Sequence, residues 1–84
     1  MSDNLREALA QLQAEIDRTQ TDTERQRRLE EVKSLVEQAL DENQADPTGL
    51  REQLQELGVQ FEVDHPALSR AMEMVINGLS SLGI

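Results

Sequence analysis

With 84 residues, no Cys and a formal net charge of −9, the chain is sized for one domain and can form neither a disulfide nor a thiolate metal site. Phe61 is the single aromatic residue, so a core must be built from Leu, Ile, Val, Met and Ala, a composition that suits helices better than sheets. The excess of carboxylates argues against binding to nucleic acid or an anionic membrane surface, both of which need Lys and Arg against phosphate.

The opening MSDNLREALAQLQ lacks the basic start and apolar run of a secretory leader. Asn4 to Thr19 carries Leu5, Leu9, Leu12 and Ile16 at 4-3-4 spacing, a narrow coiled-coil-like seam on one face of a helix. Asn4 with Glu7 three residues on has the form of a capping box. From Asp22 to Asn43, Leu29, Val32, Leu35, Val36, Ala39 and Leu40 make a wider apolar face, and Thr21 with Glu24 repeats the capping-box spacing.

The link TQTDT between these segments has neither Gly nor Pro, so propensity does not separate one long helix from two. Stripe phase does. Ile16 and Leu29 are thirteen residues apart, so one continuous helix would turn their directions about 220° from each other. A break near Gln20 and Thr21 brings both stripes inward, which predicts an antiparallel helical hairpin over 4–43. Arg25, Arg27 and Arg28 then lie at the positive end of the second helix's dipole, where each costs about 0.3–1 kcal/mol. Two readings follow: a local ion-pair cluster with Glu15 and Asp17, or a patch that captures an acidic partner.

DENQADPTG, residues 41–49, is the clearest break, because Pro47 pushes Asp46 out of the α region. Taking 44–49 as linker, the next helix covers 50–64, with Leu50, Leu54, Leu57 and Phe61 again at 4-3-4 spacing. Its end, VQFEVD, also alternates as an edge strand would. The longer helical seam favours helix. The last helix covers 66–82: Pro66 suits the first helical position, and His65 or Asp64 precedes it as cap. Leu68, Met72, Val75, Leu79 and Leu82 form its seam, widened by Ala71 and Ile76. Gly83 and Ile84 occupy the positions of a Schellman stop. This helix carries Arg70, Glu73, Asn77 and Gly78 within its apolar run, so it falls short of the roughly 20 nearly uncharged residues of a membrane span.

The segment Phe61-Glu62-Val63-Asp64-His65-Pro66, followed by Leu79 and the terminal Leu82-Gly83-Ile84, resembles the ending of a family of short bacterial proteins catalogued as domain of unknown function 4404. The likeness covers the C-terminal third. The first two thirds are similar only in being helical and rich in Gln and Glu, and Asp64 stands where the family commonly has Glu. The resemblance implies bacterial origin and an all-helical fold. It brings no activity.

No constellation in the chain calls for catalysis. There is no Cys nucleophile, and Gly49, Gly58, Gly78 and Gly83 are isolated rather than gathered into a phosphate loop. One His beside Glu62 and Asp64 reads as a bend and helix start before it reads as a metal or proton-linked site. Phe61, His65, Pro66, Gly83 and Ile84 are thus structural signatures, and no catalytic residue, metal or cofactor is expected.

The expectation is an all-α fold: an N-terminal antiparallel hairpin, then two shorter helices, a small helical bundle completed by dimerisation. The oligomer interface falls on Leu68, Met72, Val75, Ile76, Leu79 and Leu82, because a helix apolar nearly all round needs cover on more than one side. The function expected is that of a self-associating protein–protein interaction or structural module in the cytoplasm, not an enzyme, with an unidentified protein partner and without nucleic acid or membrane. The alternative is an acidic regulator that mimics nucleic acid or occupies a basic site on a partner. It rests on Glu37 to Asp64, where eight carboxylates face one cation, Arg51.

Overall fold

A computed structural model describes residues 3–41 and 47–81, with Pro47 and Thr48 described by their backbone alone. The described residues form four helices and no strand: α1 (Asp3–Arg18), α2 (Thr23–Leu40), α3 (Pro47–Phe61) and α4 (Pro66–Ser81). Gly83, Ile84 and Leu82 lie outside the described residues, and with them the expected helix stop.

Each helix forms where an apolar residue recurs every three or four positions, and each turns that stripe inward. Leu5, Leu9, Leu12 and Ile16 of α1 are buried, as are Leu29, Val32, Val36 and Ala39 of α2. Leu50, Leu54, Leu57 and Phe61 of α3 and Leu68, Met72, Val75 and Leu79 of α4 join them in one continuous core. Full burial of one such side chain is worth about 1.5–3 kcal/mol, so these seams outweigh the weak intrinsic preferences of short helices. The helices close into a ring. α1 packs on α2 and α4, and α3 packs on the same two neighbours. Every helix therefore has two partners, and the ring measures 32 × 20 × 19 Å.

Several boundaries differ from the sequence reading. α1 begins at Asp3, which places Asn4 inside the first turn rather than at the cap. The cap of α2 is Asp22, not Thr21: its carboxylate accepts the Arg25 N–H at 2.9 Å from an extended backbone. A carboxylate there also offsets the positive end of the helix dipole, which a Thr hydroxyl does not. α2 ends at Leu40, where the Asp41 N–H still donates to the Glu37 and Gln38 carbonyls.

α3 stops at Phe61, three residues short of the expected Asp64. The cause is the next proline. Pro66 disfavours helical geometry at His65, so the His65 N–H closes the helix on the Phe61 carbonyl at 2.9 Å and residues 62–64 turn. His65 is then the residue before α4, and its carbonyl accepts the Ser69 N–H at 3.1 Å. VQFEVD is helix followed by turn. Phe61 is fully buried while Val59 and Val63 are 73% and 87% exposed, so the three do not share the single face that a strand would give them.

Candidate functional site

Two of the arginines after the first turn, Arg25 and Arg28, are sent by the phase of α2 toward α3 and the turn that follows it. Arg25 Nη1 donates to Asp64 Oδ2 at 3.2 Å, and its Nε lies 3.8 Å from Asp22 Oδ2. Its guanidinium carbon stands 5.5 Å from the centroid of Phe61. Arg28, one turn on, pairs with Glu56 of α3 at 3.0 Å. Arg27 lies on another side of the helix, is exposed, and makes no ion pair among the described residues.

The carboxylates expected to meet these arginines go elsewhere. Asp17 binds Lys33 of α2 at 2.6 Å, and Glu15 pairs with Arg18 on its own helix. Lys33 lies eight residues beyond Arg25, on the side of α2 that faces α1. The Asp17 carboxylate, by hydrogen bond and by charge, holds the Lys33 ammonium above its ordinary pKa of 10.5. Arg25 and Arg28 thus clasp α2 to the end of α3, and the three arginines do not converge on one point. Exposed pairs of this kind contribute about 0.2–1 kcal/mol each.

His65 sits beside the same clasp, its ring 5.6 Å from Phe61 and tilted by 55°. An open depression of about 310 Å³ runs past it, lined by Glu15, Arg18, Thr19, Gln20, Asp64 and the first residues of α4. Its charges are already engaged, Glu15 with Arg18 and Asp64 with Arg25. Among the described residues, no group of three or more His, Asp or Glu side chains is placed to hold a metal ion.

Of the six positions expected at an oligomer interface, Leu68, Met72, Val75 and Leu79 lie in the chain's own core, at most 1% exposed. α1 covers one flank of α4 and α3 the other. Ile76 is only half-buried, and Leu82 is not among the described residues.

Two close contacts seat α4 between its neighbours, and the sequence reading passed over both. Ser69, itself buried, donates its hydroxyl to the Gly58 carbonyl of α3 at 2.9 Å. On the other flank, a Cβ on Gly78 would come within 3.0 Å of Leu5 Cδ1, so the missing side chain lets α1 and α4 approach. A small polar residue beside an apolar seam, and a glycine inside a strong helix pattern, were the available signals.

Another opening on the surface is a groove of about 170 Å³ between α3 and α4. Gly58, Val59 and Ile76 supply its small and apolar lining, and Gln55, Glu62 and Glu73 its polar one. Val59, Val63 and Met74 are the large apolar side chains left exposed among the described residues.

Fold and surface together define a small all-helical protein with a filled core, charged side chains between its helices and an apolar groove on one flank. The chain belongs to the family described as Domain of unknown function (DUF4404), whose model matches residues 5–84. Membership thus extends over nearly the whole chain, well beyond the C-terminal third that carries the FEVDHP segment. No curated protein and no solved structure matches it. No helix of the described residues is long and apolar enough to cross a membrane.

Proposed function

We propose that the protein is a self-associating protein–protein interaction module: a small bundle whose N-terminal pair is an antiparallel hairpin and whose working unit is a homodimer in the cytoplasm. The hairpin is supported by two bonds between α1 and α2. Asp17 meets Lys33, and four residues earlier in α1 Gln13 meets Glu37, four residues later in α2. The interaction role is supported by one observation above others. A chain with enough Leu, Ile, Val and Met to fill its core leaves Val59, which lines an apolar groove, and Val63, in the turn after α3, largely in water. Exposed large apolar residues gathered at one place are a mark of docking surfaces.

The carboxylates of 37–64 favour this reading over mimicry of nucleic acid. Those whose partners the described residues show go to three different seams. Glu37 bonds Gln13 of α1, Glu56 bonds Arg28 of α2, and Glu62 lines the groove against α4. A mimic needs them in one row. Analytical ultracentrifugation of the purified chain, with affinity capture from native cells, tests the proposal. A dimer is the expected species. A monomer at every concentration that captures no protein would end it.

A further inference from the structure

We propose that the outer face of α3 and α4 is a self-complementary docking surface whose occupant is a second copy of this chain. The inference rests on the self-association proposed above and assigns the surface that carries it.

The apolar part comes from α3 and the turn after it. Val59 is 73% exposed at the groove and Val63 is 87% exposed two residues past the helix end, while Ile76 of α4 is half-buried across from Val59. These side chains are what the core leaves over. In a helix, residues two apart point about 200° from each other, so burying Phe61 forces Val59 outward.

The charged part comes from α4, which has only two ionisable side chains, Arg70 and Glu73. They lie one turn apart on its exposed side, and neither makes an ion pair among the described residues. One unpaired cation and one unpaired anion a turn apart suit a two-fold contact. In such an interface residue i meets residue j and j meets i, so Arg70 faces Glu73 of the partner subunit, and the same pair forms again by symmetry. The net charge of −9 opposes the approach of two copies, and a locally balanced face is where that opposition is least. A uniformly basic partner would gain from Glu62 and Glu73 but would meet Arg70 as a like charge.

A stable interface takes about 800 Å² from each partner, or about 15% of this chain's 5241 Å². The two-helix face runs along a protein 32 Å in its longest dimension.

The test compares the full-length chain with Val59→Glu, Arg70→Glu, Glu73→Arg and the double change Arg70→Glu/Glu73→Arg. Sedimentation velocity and native mass spectrometry report the oligomer, at about 0.1 M and about 1 M salt. Circular dichroism confirms unchanged helicity, as all three positions are exposed. The expected result is a dimer whose dissociation constant rises tenfold or more with Val59→Glu and with either single reversal. The double change should regain the dimer, because it exchanges the two ends of each pair. High salt should tighten wild-type association, since it screens the repulsion between two acidic chains. A dimer indifferent to all four variants would overturn this face and leave self-association standing. A monomer in every condition would overturn both, and if that monomer bound a synthetic Lys-rich amphipathic peptide the groove would belong to a basic partner.

Discussion

Phe61 is the point where α3, the α2 clasp and the turn into α4 meet, and replacing it should reveal how much stability that junction carries. The ring is fully buried, flanked by the Arg25 guanidinium at 5.5 Å and by His65 at 5.6 Å. Truncating a buried Phe to Ala costs about 3–5 kcal/mol through lost transfer energy and the cavity left behind. The cation over its face adds about 0.5–1 kcal/mol at a site this accessible. At about 0.05–0.15 kcal/mol per residue, an 84-residue chain has about 4–13 kcal/mol in total. Phe61→Ala should therefore remove at least a quarter of the folding free energy. Phe61→Leu, which keeps most of the apolar volume, should cost about 1.5 kcal/mol or less. The chain has no Trp or Tyr, so urea unfolding followed by far-ultraviolet circular dichroism is the suitable assay. With a slope of about 1–2 kcal/mol per molar urea, the Phe61→Ala midpoint should fall by about 1.5 M or more. A fall under about 0.5 M at unchanged slope would refute the placement of Phe61 in the core. Arg25→Met should also cost less in the Phe61→Ala background than in the wild type, because the ring it covers has gone.

Two further predictions use the glycines and the one shifted lysine. Gly58→Ala should stabilise the protein by about 0.5–1 kcal/mol, since a Cβ there meets nothing nearer than Ser69 Oγ at 4.0 Å and helix propensity improves. The same change at Gly78 should gain less or reverse sign, because Leu5 Cδ1 at 3.0 Å has to give way; parallel thermal melts rank the two. Lys33 has a folded pKa raised above 10.5 by Asp17, so its contribution is complete below that pH and is lost as pH rises through the folded value. Thermal melts of wild type and Lys33→Met should differ at neutral pH and converge above pH 10.5, and a gap that persists in strong base would contradict the linkage.

Much of the fold was legible because it rests on periodicity, and periodicity is written in the order of residues. Leu5, Leu9, Leu12 and Ile16, or Leu50, Leu54, Leu57 and Phe61, each mark one face of a helix, and all are buried. Caps and ends were less legible because they depend on competition between neighbours. Thr21 and Asp22 both suit a cap, and the choice fell to the residue whose carboxylate also meets the helix dipole. The end of α3 looked strand-like because Val59, Phe61 and Val63 alternate. With Val59 and Phe61 on α3 and Val63 in the turn beyond it, the same alternation buries one and exposes two, which is how the candidate docking surface arises.

By itself the sequence determined the number of helices and the residues each turns inward, but not where the third begins: α3 starts at Pro47, inside the stretch expected to be linker. The number and the inward faces follow from local rules of spacing, proline geometry and turn composition, which act over a few residues. Only the tertiary structure decided which helices are neighbours and what is left uncovered. Arg25 and Arg28 reach Asp64 and Glu56 across 39 and 28 residues of chain, while Asp17 reaches Lys33 instead. Nothing local distinguishes those partners, because any exposed carboxylate would serve. The same holds for α4. Its apolar girth showed that it needed cover on several sides, but the covering by α1 at Gly78 and by α3 at Ser69 depends on how closely whole helices approach. That approach places the Val59 groove on one flank and sets Arg70 and Glu73 outward beside it.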